Sequence, residues 1–60
     1  MKVSIWLKET SQPIEVVANT TYTKGPYYVV KSGNTFIKYP IQNIWRVIEV
    51  QDEEVKSVLL

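Results

Sequence analysis

Apolar and polar positions alternate with a period of two through most of the first fifty residues, as they do in half-buried strands. In KVSIWLK, residues 2–8, Val3, Ile5 and Leu7 fall on one side and Ser4, Trp6 and Lys8 on the other. ETSQP then makes a polar turn closed by Pro13. A second run, IEVVANTTY, begins with the same alternation and becomes rich in threonine, which suits a strand edge or an exposed face. TKGP interrupts the chain. Because Pro26 has no N–H to give to a ladder, a third strand is expected to start just after it.

Residues 27–40, YYVVKSGNTFIKYP, predict a hairpin. A two-residue loop at Gly33 and Asn34, with Gly33 supplying the positive φ of a type II′ turn, pairs Ser32 with Thr35, Lys31 with Phe36, Val30 with Ile37, Val29 with Lys38 and Tyr28 with Tyr39. One face then carries Tyr28, Val30, Ile37 and Tyr39 as core, and the other Val29, Lys31, Phe36 and Lys38. A three-residue loop sets Val30 beside Phe36 instead. Pro40 ends the strand, PIQN turns, and IWRVIEV gives a fifth strand with Ile44, Arg46, Ile48 and Val50 on one side and Trp45, Val47 and Glu49 on the other. Both sides are mixed, as in a strand covered on two faces.

The last ten residues, QDEEVKSVLL, change pattern. Val55, Val58 and Leu59 recur at helical spacing, Asp52 can cap a helix, and Glu53 and Glu54 sit where the helix dipole favours anions. A short C-terminal helix or tail is expected over residues 51–60, too brief to hold itself in water without docking. The pattern therefore predicts one all-β domain spanning residues 1–60. Residues 1–50 form a five-stranded antiparallel meander curled into a small SH3-like open barrel, followed by the helical tail.

Size adds a constraint. A chain of 60 residues buries only about 60% of the surface its unfolded form exposes, so small domains lean on disulfides, metals or association. With no cysteine and no histidine, disulfides and the ordinary zinc ligand sets are excluded, and association is what remains: a homodimer or a partner-dependent fold is expected. The apolar content of 45% with 22% charged residues is that of a folded domain. The net charge of +1 is unevenly spread. Residues 1–50 hold six cations against three anions, and residues 51–60 hold Asp52, Glu53 and Glu54 against Lys56. The apolar run after Lys2 is broken by Lys8 and Glu9, too early for a secretory signal or a membrane span, so a cytoplasmic protein without membrane partners is expected.

The chemistry available is sparse. Lack of histidine and cysteine removes the usual general base and the best thiol nucleophile, and none of Ser4, Ser11, Ser32 and Ser57 has an activating neighbour in sequence. Glu9, Glu15 and Glu49 read as solvated strand residues rather than as facing catalytic carboxylates. Three consecutive acids at 52–54 lack a glycine-bent loop to converge them on a metal, and Gly25 and Gly33 are too far apart to cradle phosphate. The expectation is a protein that is not an enzyme, with no cofactor, no metal and no small-molecule substrate. Two tryptophans exceed what so small a core conceals, and such rings are enriched at interfaces. Trp6, Phe36, Tyr39 and Trp45 are the candidate protein-contact anchors, with Val58 and Leu59 as a second apolar patch. A nucleic-acid reading is the alternative: Lys31, Phe36, Lys38 and Arg46 match the basic, aromatic surfaces on which small barrels stack single-stranded bases.

TFIKYPIQNIWRVIEV, residues 35–50, resembles the closing strands of small β-rich accessory proteins from phages and mobile elements of Gram-positive bacteria. There a strand ends in an apolar-Pro-apolar turn and an Asn-Ile step opens the last strand. The likeness covers about a quarter of the chain and carries no site residues across. It implies a compact, non-enzymatic protein that inhibits or modulates a host protein, such as an anti-phage defence component, from the host cytoplasm. The acidic tail departs from that pattern. A structural subunit of a virion or secretion assembly is a further alternative.

Overall fold

The computed structural model describes residues 1–58, all of the regular structure being β apart from one 3₁₀ turn. Seven strands follow one another: β1 (Lys2–Leu7), β2 (Ile14–Val17), β3 (Thr20–Lys24), β4 (Tyr27–Ser32), β5 (Thr35–Pro40), β6 (Ile44–Gln51) and β7 (Glu54–Val58), with the 3₁₀ turn Ile41–Asn43 between β5 and β6. They form two antiparallel sheets, a first in the order β2-β1-β6-β7 and a second in the order β3-β4-β5.

The expected five strands become seven for two reasons. The single run expected over residues 14–22 is broken at Ala18 and Asn19, where the backbone changes partners. The Ala18 N–H donates to the Met1 carbonyl oxygen in the first sheet, and the next N–H, that of Asn19, donates to the Lys31 carbonyl oxygen in the second. Ala18 is buried and small enough to sit in the corner, and the Asn19 side chain holds the β4–β5 turn by accepting the Gly33 N–H. The Ser32 hydroxyl donates across the same corner to the Val17 carbonyl oxygen.

The second reason is the C-terminal segment, where the expected helix is a strand. Asp52 and Glu53 take φ of +49° and +69°, the left-handed pair of a type I′ loop, and β7 returns along β6 with Gln51 opposite Glu54 and Val50 opposite Val55. A ladder to β6 satisfies backbone groups that an isolated short helix would leave to water. Val58 thereby faces Val47 and packs against the core rather than forming an exposed patch, while Leu59 lies outside the described residues. Glutamate is poorly suited to positive φ, so Glu53→Gly is expected to stabilise the protein by about 1 kcal/mol, read as a rise of a few degrees in melting temperature. A fall would show that the chain does not turn through the left-handed region there.

The β4–β5 hairpin has the register of the two-residue loop, from Ser32 opposite Thr35 to Tyr28 opposite Tyr39, with Gly33 at φ +60°. Its inner face delivers Tyr28 and Val30 to a core completed by Val3, Ile5, Ala18, Ile44 and Val47, with Ile37 and Tyr39 packed against it. Burial pushes the Tyr39 phenol above its ordinary value. Tyr39 is half-buried against this core, which leaves less of it open to a partner than the anchor role expected of it needs.

Candidate functional site

In β6 the alternation expected of IWRVIEV fails at one residue, and the failure builds the most exposed aromatic feature of the molecule. Trp6 lies opposite Arg46 but the next residue of β1, Leu7, lies opposite Ile44, so Trp45 is left over in a β-bulge. A bulge re-aims side chains. Here Ile44 and Val47 both turn inward and are buried, while Trp45 is turned outward, 58% exposed, instead of joining Val47 on the inner face. The Lys8 N–H donates to the Asn43 carbonyl oxygen beyond the bulge, so pairing resumes there.

Turned out in this way, the Trp45 ring lies 6.3 Å from that of Trp6 at 58°, a tilted aromatic pair. The Arg46 guanidinium lies 5.1 Å from the Trp6 ring centre, within cation–π range. Along the same face the register lines up Ile48 beside Ser4, and Val17, Lys2, Val50 and Val55 in one row across all four strands. Val17 is 76% and Val55 66% exposed, so an exposed valine stands at each edge of the sheet, with Lys2 between Val17 and Val50. Lys2 and Glu15 form an ion pair of 3.4 Å within this face, too exposed to add much stability.

The opposite side of this sheet holds an unexpected charge. Glu49, read from sequence as a solvated strand residue, points inward between the sheets, where one carboxylate oxygen accepts hydrogen bonds from the Thr21 hydroxyl at 2.7 Å and from the Tyr28 phenol. Tyr28 is 1% exposed, and its burial, reinforced by the carboxylate it donates to, holds its pKa well above the ordinary tyrosine value. The three groups tie β6 to β3 and β4. The carboxylate, engaged by donors from both strands, acts as a structural clamp between the sheets, and a cleft lined by Glu49, Gln51, Glu54 and Lys56 lies beside it.

Of the protein-contact candidates, the structure brings Trp6 and Trp45 together, and it adds Arg46, Ile48, Val50, Val17 and Val55. Phe36 is 55% exposed but lies on the outer face of the second sheet, away from the indoles. The nucleic-acid candidates divide too. Lys31, Phe36 and Lys38 share the outer face of the second sheet, with Lys31 5.7 Å from the Phe36 ring centre, whereas Arg46 belongs with Trp6 on the first. That second outer face also holds Tyr22, Lys24 and Tyr27, which the sequence reading did not single out. For two of them a signal was present: in any strand through residues 20–24, Tyr22 and Lys24 share one side. No family model matches this chain, and no curated protein or solved structure is significantly similar to it.

Proposed function

We propose that this protein is a non-enzymatic protein-binding module that works as a homodimer, with the outer face of the first sheet as its contact surface. The observation that carries this reading is the pair of indoles standing side by side on an exposed sheet face, one of them turned out of the strand by a bulge. Tryptophan and arginine are the residue types that dominate binding energy at protein interfaces, and here both kinds are clustered and flanked by exposed valines. The small core argues in the same direction, since only eight hydrophobic residues are buried among those described.

The strand succession supports an SH3-like organisation for the module. A second strand bent between two sheets, a hairpin, a single 3₁₀ turn and a last long strand returning to β1 are the parts of such an open barrel, to which β7 is an addition. In the setting implied by the likeness to phage accessory proteins, the dimer meets a host protein in the cytoplasm and inhibits or modulates it. Dilution followed by NMR tests the surface. The Trp6 and Trp45 indole N–H signals are expected to move with protein concentration while the Gly33 and Asn34 amides stay still. Signals that are independent of concentration up to the millimolar range reject the proposed face.

A further inference from the structure

The outer face of the second sheet has a different chemistry. Lys24, Lys31 and Lys38 alternate there with Tyr22, Tyr27 and Phe36, all on one side by the register of β3, β4 and β5. Val29, at the centre of this face, is wholly covered although it points away from the core cluster, so the surrounding long side chains lie over it. Among the described residues, no side-chain carboxylate shares this face with the three ammonium groups. All six acids of the chain fall at residues 9, 15, 49 and 52–54, which leaves residues 16–48 without one. The net charge of +1 thus conceals a face of +3, since the acids lie on the first sheet and its loops.

Tyr27 lines two adjoining clefts. One, of about 300 Å³, is formed with Lys24, Gly25, Pro26, Val29 and Lys38. The other, of about 360 Å³, is formed with Pro26, Pro40, Ile41 and Gln42. Each has room for a flat ring, and an exposed tyrosine shared by both can stack on one ring from either side. Cations beside one cleft and an amide in the other add contacts for phosphate and for a base edge. A duplex cannot use this arrangement, because its bases are already stacked on one another.

We propose that this face binds single-stranded nucleic acid, with Tyr27 stacked between two consecutive bases seated in the adjoining clefts and with Lys24, Lys31 and Lys38 on the phosphates. The site is independent of the protein-contact face, since it lies on the other sheet. Gln42 gives the second cleft a donor and an acceptor, so a modest base preference is expected there on top of sequence-tolerant stacking.

Fluorescence anisotropy with a short labelled oligothymidylate tests the proposal. Affinity should fall as salt rises, with a log–log slope near about −2 for three phosphate contacts on a single strand, and the Lys24→Ala, Lys38→Ala double variant should bring the slope below about −1 in magnitude. Tyr27→Ala should weaken binding about tenfold or more, whereas Tyr27→Phe, which keeps the ring, should bind as the unaltered protein does. These positions are exposed, and circular dichroism melts establish that each variant is folded. Trp45→Ala should leave oligonucleotide affinity unchanged, which separates this site from the contact face. The proposal is overturned if the folded protein does not bind at low salt. Tyr27→Ala binding at full strength overturns it as well, as does polyglutamate or a duplex of equal charge competing as well as the single strand.

Discussion

Glu49→Ala is expected to lower stability by about 2–4 kcal/mol, because it strips the acceptor from two hydroxyls, that of Tyr28 at the core and that of Thr21 beside it. In a domain of this size that loss corresponds to a fall on the order of 10–30 °C in melting temperature, measured at one fixed protein concentration. Glu49→Gln keeps an acceptor oxygen in place and should cost about 1 kcal/mol. The clamp also has a signature in alkali. The Tyr28 pKa is raised in the folded state, first by burial and then by Glu49, so above about pH 10 the unfolded chain gives up a proton that the folded chain keeps. Stability is therefore complete below about pH 10 and declines above it, by up to about 1.4 kcal/mol per pH unit for this residue. Tyr28→Phe should remove that share of the decline, leaving the smaller one from Tyr39, which is also raised by burial. An alanine variant within about 0.5 kcal/mol of the unaltered protein would show that the sheets are held together without the clamp.

The second large effect concerns association. Trp45→Ala is expected to weaken the dimer by about 2 kcal/mol or more, about a thirtyfold rise in dissociation constant. The indole is 58% exposed and lies beside Trp6 outside the core, so its removal takes contact area from the face without opening a core cavity. The folding of the single chain should accordingly change by less than about 0.5 kcal/mol. Arg46→Lys is a sharper probe of the same cluster. It keeps the charge but loses the planar group that lies over Trp6, and a partial loss of affinity is expected. Phe36→Ala, on the other sheet, should leave the dimer intact.

Local features of the fold could be read from sequence, and features set by distant partners could not. The hairpin at residues 27–40 depends on period-two alternation, one glycine at positive φ and a terminal proline, all within fourteen residues, and its register and inner face follow from those alone. The break at Ala18 depends on Met1 and Lys31, each at least thirteen residues away, and nothing in IEVVANTTY marks it apart from a small residue followed by asparagine. In the C-terminal segment the local pattern favours a helix, since Val55 and Val58 fit a helical spacing and fall on opposite faces of a strand. Pairing with β6 selects the strand. Glu49 shows the same limit: a glutamate in a strand reads as solvent-facing until Tyr28, 21 residues earlier in sequence, is seen to reach it.

The candidate site divides along the same line. Both tryptophans stood out by residue type, but their meeting depends on the bulge, which is visible only when β6 is aligned with β1. Simple alternation put Trp45 on the side of Val47 and Glu49, the side that turns out to be the interior. Tyr39 was grouped with the anchors by its aromatic character although the hairpin register already assigned it to the core face. Lys31, Phe36 and Lys38 were correctly grouped because they belong to one hairpin. Tyr22 and Lys24 were missed because β3 was not recognised as a strand in its own right, paired to β4, whereas Tyr27 stands on the hairpin itself, opposite Pro40.

Sedimentation equilibrium from low to high micromolar concentration decides whether the indole-bearing sheet faces pair. The mass is predicted to rise from that of one chain to that of two, and Trp45→Ala should move the transition to about thirtyfold higher concentration. A single-chain mass at every concentration, with both indoles open to iodide quenching, would contradict it.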